Sequence, residues 1–321
     1  MRILVWHVHG SWTTAFVGGG HDYLIPVDAE RGPDGRGRAR TWDWPASARE
    51  VPVADLRHED VDVVLLQREH EVALVHEWLG REPGRDLPAV FVEHNTPKGE
   101  VPLTRHPMAD RDDVVVAHVT HFNRLFWDNG RAPTAVVEHG IPDPGYRYTG
   151  ELARAAVVVN EPVRRGRVTG TDLLEGLSEA APLDVFGMRV QELPRHLGLG
   201  ADRLAVHEDL PQSRMHEELP LRRVYVHPIR WTSLGLSLLE AMFLGMPVVA
   251  LATTEAVEAV PREAGVLSTD PHVLRDAVAR LRQDHAWAID MGKHARAAAA
   301  SRYGVERFLA DWDRLLTEVT R

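Results

Sequence analysis

The chain contains no cysteine, which excludes disulfides and thiolate metal sites and agrees with a reducing cytoplasm as its expected location. It also lacks any apolar run near the ~18 residues that a membrane-spanning helix needs. The opening MRILVWHVHGSW is broken by His7 and His9 and leads into no small-residue cleavage site, so it reads as a strand and not as a signal peptide. Peripheral membrane contact stays open on this reading. Positive charge is in deficit. Lys and Arg total 37 against 47 Asp and Glu, a formal net charge of −10 that argues against a nucleic-acid backbone as partner. No Gly-x-Ser-x-Gly elbow, Walker loop or His-Glu-x-x-His helix is present. His7 with His9 and His118 with His121 have no third ligand at zinc spacing, so neither a metal nor another cofactor is expected. Asp60-Val61-Asp62 and Asp110-Arg111-Asp112 stand just before strand candidates and read as turns and caps.

What remains is an ordinary folding composition, 44% hydrophobic and 26% charged, over 321 residues, a length that fits two α/β domains better than one core. β-rich runs at 1–7, 61–66, 89–92, 114–119 and 135–137 alternate with helical stretches such as 70–79. The pattern restarts at 155–159, 183–186, 204–206, 224–226 and 247–251, with an apolar helix at 237–244. Such alternation predicts a parallel sheet buried on both faces in each half. Residues 31–40, RGPDGRGRAR, have no apolar period and read as a mobile loop. Pro142, Pro144, Gly145 and Gly150 punctuate the middle of the chain. The expected division is therefore 1–148 and 149–302, with a last amphipathic helix in 303–321.

Residues 226–251, VHPIRWTSLGLSLLEAMFLGMPVVAL, carry the most chemistry. They read as a strand, a short loop holding Trp231, Thr232, Ser233 and Gly235, a helix and a buried strand. A helix beginning there projects free amides from Leu234, Gly235 and Leu236, and Gly235 admits a diphosphate to the backbone. Glu240 lies inside an otherwise apolar helix, where a carboxylate is costly unless a polar group pairs with it; a ribose diol is a suitable partner. The same spacing also fits a plain βαβ unit whose glutamate is satisfied internally.

The segment resembles the C-terminal signature of family 4 glycosyltransferases, through Gly235, Leu236, Leu239, Glu240, Ala241, Met242, Gly245, Pro247, Val248 and Val249. Glu258 and Gly265-Val266-Leu267 resemble the family's downstream glutamate and turn, Val136 to Asp143 the strand and turn before its second domain, and Thr169-Gly170-Thr171-Asp172-Leu173-Leu174 its Lys-Gly helix start. Gly19 and Gly20 resemble the paired glycines after the family's first strand. The resemblance implies α/β GT-B architecture: two facing Rossmann-like domains, the first on the acceptor side and the second binding the nucleotide-sugar, with a C-terminal helix crossing back to the first. Two positions depart from the pattern. Thr232 replaces a glutamate that contacts the donor sugar, and Thr169 stands where a phosphate-binding lysine is usual. Arg164, Arg165 and Arg167 are the substitutes at hand, with Arg165 preferred because Arg165-Gly166 replaces Lys-Gly in another register.

In the first half, Glu93, His94 and Asn95 follow a strand at the edge where α/β ligands bind. By the resemblance, His94 is the candidate at the reactive centre, polarising a hydroxyl or the leaving phosphate; the bland alternative is a loop histidine bonded to backbone. His7 and His9 leave the first strand toward the same region, with packing as their first reading and acceptor contact as the alternative, and Trp12 and Trp231 are placed in loops to stack on a sugar or base. The expected function is metal-independent, retaining transfer of a sugar from a nucleotide-sugar to a hydroxyl acceptor. Two alternatives are a GT-B phosphorylase or epimerase and a degenerate nucleotide-binding subunit.

Overall fold

A computed structural model describes residues 1–321, which form two compact units: Met1–Gly140 with Val305–Arg321, and Ile141–Gly304. In the first unit the elements are β1 (Arg2–Val5), α1 (Gly10–Phe16), β2 (Asp22–Val27), β3 (Ala48–Pro52), β4 (Val63–Leu66), α2 (Glu71–Leu79), β5 (Ala89–Glu93), β6 (Val115–His118), α3 (His121–Phe126) and β7 (Thr134–Val136). The second unit holds β8 (Leu152–Val158), α4 (Pro162–Arg165), α5 (Leu174–Ala180), β9 (Leu183–Gly187), α6 (Leu193–Leu197), β10 (Leu204–Glu208) and α7 (Gln212–Glu218). It continues with β11 (Arg222–His227), α8 (Leu236–Leu244), β12 (Val248–Leu251), α9 (Ala256–Ala259), β13 (Gly265–Ser268), α10 (Pro271–Gln283) and α11 (His285–Arg302). Last comes α12 (Val305–Val319), which belongs to the first unit.

Both sheets are wholly parallel. Their orders are β3-β2-β1-β4-β5-β6-β7 and β10-β9-β8-β11-β12-β13, so each reverses direction once, between β1 and β4 and between β8 and β11. The period-two alternation of strands is visible in β1. Ile3 and Val5 point to a face covered by Trp12 and Phe16 of α1 and by Phe308, Trp312 and Leu316 of α12. Leu4 points to the opposite face, with Leu24, Val64, Leu66 and Val75 of α2. Gly140 lets α12 come close, since a Cβ there would collide with Phe308.

The strand runs read from sequence are found with ends shifted by a few residues. β2 and β3 were not foreseen, because Pro26 and Pro52 weaken the strand signal of their runs. The Gly265 turn is strand β13, paired to β12 from Gly265 to Ser268. Residues 31–40 are not loose. Arg31 forms a bidentate pair with Glu50 at 2.8 and 2.9 Å, and the Arg38 amide donates to the same carboxylate. The units divide at 140/141 and 304/305, against 148/149 and 302/303 read from punctuation. The physical reason is local: amides of Arg147 and Tyr148 donate to the Leu244 carbonyl, and those of Thr149 and Gly150 to that of Pro220, which ties this stretch to the second unit.

Trp312→Ala removes a fully buried indole that packs on Trp12, Phe16 and Phe308. It should destabilise the first unit by about 3–5 kcal/mol, read by urea unfolding, and leave the melting of the second unit unchanged.

Candidate functional site

In the second unit, two segments meet at the strand-order reversal: the loop after β8 and the loop after β11. Gly170 makes this possible. It adopts φ +74°, and a Cβ there would collide with the Pro228 carbonyl. The amide of Arg230 donates to the Val168 carbonyl at 2.9 Å, and the Arg230 guanidinium pairs with Asp172 at 2.8 Å. Thr169, in the lysine's place, is buried and donates to the Gly166 carbonyl at 3.0 Å. Its role is to shape the loop.

Of the three arginines, Arg164 is exposed and paired with Glu161, and Arg167 is paired with Asp172 at 3.0 Å. Arg165 alone among them has no ion-pair or hydrogen-bond partner for its guanidinium. It is half-buried, and burial with the neighbouring Arg164 pulls its pKa below the usual arginine range. A desolvated cation that no carboxylate bonds is expensive.

α8 starts at the same edge. Its N-cap is Gly235 in extended conformation, no side chain caps the first turn, and Leu236 opens the helix. Gly235 is required by its neighbour, since a Cβ would lie 2.6 Å from His227 Cε1. Immediately before it, Leu234 packs into the core while Ser233 is 2% exposed with its Oγ unpartnered. Thr232 and Trp231 are half-buried in the loop, and the Trp231 amide donates to Val168. Glu240 is buried and is not bare. Gln212 of α7 donates to its Oε1 at 2.7 Å, and His216 Nε2 lies 3.7 Å from its Oε2. Sequence reasoning missed this pair because Gln212 and His216 lie on a polar helix with no local signature. Further on, Glu258 is exposed; the buried carboxylate is Glu255, 3.2 Å from Arg302.

The first unit gathers histidines at the C-terminal edge of its sheet. His94 follows β5 and packs against His9, which follows β1, with ring centroids 4.1 Å apart and planes tilted by 40°. Its Nε2 lies 3.1 Å from Gln67 Oε1, just after β4. Burial pushes the pKa of His94 well below the ordinary value, with His9 and His139 adding to the effect. Glu93 faces inward: its Oε1 accepts the Asn95 amide at 2.6 Å, and its Oε2 lies 3.1 Å from His106 Nε2. It therefore shapes the loop that presents His94 and the exposed Asn95. His7 is a packing residue, 3.1 Å from the Gly37 carbonyl and edge-on to Trp44.

Two expectations are corrected here. Trp12 lies in α1 and is 2% exposed, stacked on Phe16, so no face of it is open to a sugar. Gly19 and Gly20 lie beyond α1, just before β2, at the opposite edge of the sheet, where Gly19 packs on Tyr23 and Leu309. The close approach after β1 falls instead at Gly10, beneath Trp42. The first strand was read as leading directly into a glycine loop, which left α1 out. His139, after β7, was also missed; it is buried, its Nδ1 has no partner, and burial takes its pKa down to about 3. No three His, Asp or Glu side chains converge as metal ligands.

This fold is shared. Sucrose-phosphate synthase from Thermosynechococcus elongatus matches with a TM-score of 0.73 and 15% identity over 99% of both chains. HepE of Anabaena, solved with UDP and glucose, matches with 0.72 and 15% over 99% of this chain and 100% of its own. TarM of S. aureus gives 0.62 and 14% over 79% of this chain and 55% of TarM. The architecture is thus that of the GT-B glycosyltransferases. Residues 171–284, which contain the whole 226–251 segment, match the family described as Glycosyl transferases group 1, and the resemblance to a group 1, family 4-like enzyme is borne out. No curated protein sequence matches the chain.

Buried neutral histidines make the first unit acid-sensitive. Burial lowers His118 to about 4 and His139 to about 3, against 6.5 when unfolded. The unfolded chain then binds more protons as pH falls, so their contribution is complete above pH 6.5 and is lost progressively toward pH 4. The urea midpoint read by tryptophan fluorescence should drop between pH 7.5 and 4.5, and His139→Gln should flatten that drop. A pH-independent midpoint would count against the buried neutral state.

Proposed function

We propose that the protein is a glycosyltransferase whose second unit binds a nucleotide-sugar and whose first unit binds a hydroxyl acceptor. The observation that carries the reading is Arg165, a half-buried guanidinium without a partner, at the reversal point where α8 starts uncapped. Arginine and a helix N-terminus together suit a diphosphate: one supplies a bidentate fork, the other aligned amides. Gly235 and Leu236 with Ser233 Oγ complete the cradle, and Arg164 at its margin is held by Glu161. Glu240 takes the ribose, with Gln212 yielding or sharing the diol. Thr232 and Trp231 flank the donor sugar.

Chemically, the same groups stabilise charge that grows on the departing diphosphate, usually the largest contribution to such catalysis. That phosphate takes the acceptor proton, so transfer with retention needs no separate protein base and no metal. His94 and Asn95 contact hydroxyl groups from the first unit. The neighbouring structures bind UDP, UDP-glucose or GlcNAc according to their descriptions, and a nucleoside diphosphate donor is the class carried over to this chain. One observation favours a second reading, nucleotide binding without turnover: Thr232 and Thr169 stand where the pattern has the donor-sugar glutamate and the phosphate lysine.

Arg165→Ala should weaken binding of a nucleoside diphosphate by about 10–100-fold while binding of the bare nucleoside changes less than threefold, measured by calorimetry. Arg164→Ala, already neutralised by Glu161, should cost less than threefold. Glu240→Ala should lower affinity for UDP about tenfold and abolish discrimination against its 2′,3′-dideoxy analogue. Unchanged affinity in the folded variant rejects the ribose role, and tight binding without turnover on any donor selects the second reading.

A further inference from the structure

Sequence alone singled out His94 but not the residue that decides which of its nitrogens carries the proton. Glu71, fully buried at the start of α2, accepts the backbone amides of Gln67 and Arg68 at 2.6 and 3.1 Å, and the Arg68 Nε at 2.6 Å. The carboxylate therefore fixes the loop that follows β4. Gln67 itself is 5% exposed, and its Nε2 donates to the Trp6 carbonyl at 2.8 Å. A flipped amide would set two oxygens against each other at that distance, so the orientation is forced. Gln67 Oε1 then points at His94 Nε2, 3.1 Å away. An amide oxygen can only accept, so Nε2 must bear the proton.

From this we infer that Gln67 is a positioning residue that locks His94 as the neutral Nε2–H tautomer, leaving Nδ1 as a hydrogen-bond acceptor for a substrate hydroxyl. No protein group bonds Nδ1, and it is not sealed from solvent. The groups around the ring keep it uncharged. His9 packs against it with tilted planes, His139 stands near, Trp12 meets it edge-on, and the adjoining carboxylate, Glu93, is turned into its own bonds with His106 and Asn95. Arg68, which faces His9, adds positive charge on the same side. A bare imidazole nitrogen offers nothing to a phosphate oxygen, because neither partner supplies a hydrogen. A sugar or polyol hydroxyl supplies one. His94 is thereby assigned to hydroxyl recognition and taken away from the leaving phosphate. The substrate part of the inference rests on the transfer reading; the tautomer does not.

Nitrogen-15 imidazole shifts of the intact protein at pH 7.5 test the lock directly. The expected pattern for His94 is a protonated Nε2 and an unprotonated Nδ1; a protonated Nδ1, or a charged ring, overturns the proposal. In Gln67→Leu both tautomers should appear, and kcat should fall about 10–100-fold with the donor KM within twofold. A variant that folds, keeps the single tautomer or keeps full kcat also overturns it. Where that variant does not fold, the wild-type spectrum decides alone. A protein that shows the locked tautomer but no transfer with any donor refutes the transfer reading and supports the lock.

Discussion

The single reversal of strand order in each sheet is the constraint on which the rest depends. Parallel neighbours need crossover connections, and at β8/β11 the two outgoing connections leave for opposite faces, so the sheet edge between them is left open. The polar groups that fall into this opening are backbone amides, an uncapped helix start and the side chains of two short loops. Gly170 and Pro228 bring those loops within van der Waals reach, which a side chain at residue 170 would forbid. The β1/β4 reversal does the same in the first unit, and there it collects His9, Gln67 and, one strand further, His94.

The two edges are electrically opposite in kind. In the second unit the opening holds a guanidinium, Arg165, that no carboxylate bonds. Around it, Arg230 and Arg167 are consumed by Asp172 and Arg164 by Glu161. Arg165 is what remains after this subtraction. A chain with net charge −10 can therefore hold an anion locally, because charge is assigned by pairing and not by the total. The first unit's opening is instead lined by imidazoles that burial keeps neutral, a surface suited to exchanging hydrogen bonds with uncharged hydroxyls.

Both units support these groups from behind with buried polar bonds. Glu71 holds the Gln67 loop, Glu93 holds the His94 loop, and Glu208 accepts amides of Arg189 and Val190 after β9. Each carboxylate satisfies backbone donors that a tight turn leaves over, so the loops at the strand ends are fixed before any ligand arrives.

The strand rhythm, the helix at Glu240 and its uncapped start near Gly235 were legible in the sequence, because local alternation and a glycine before an apolar helix follow from short-range sterics. The two parallel sheets followed from the same alternation. β2 and β3 were hidden by their prolines, whose cost a sheet interior absorbs only once neighbouring strands exist. Sequence placed Trp12 and Gly19 at the site by counting from β1, yet α1 carries one into the core and the other to the far edge. It offered three arginines, and the folded loop, which pairs Arg164 with Glu161 and Arg167 with Asp172, leaves Arg165 unclaimed. The tautomer of His94 depends on Trp6, Gln67 and Glu71, whose hydrogen bonds join the ends of β1 and β4 only after the strands align. Local chemistry is written in neighbouring residues; partner choice is settled by the folded backbone.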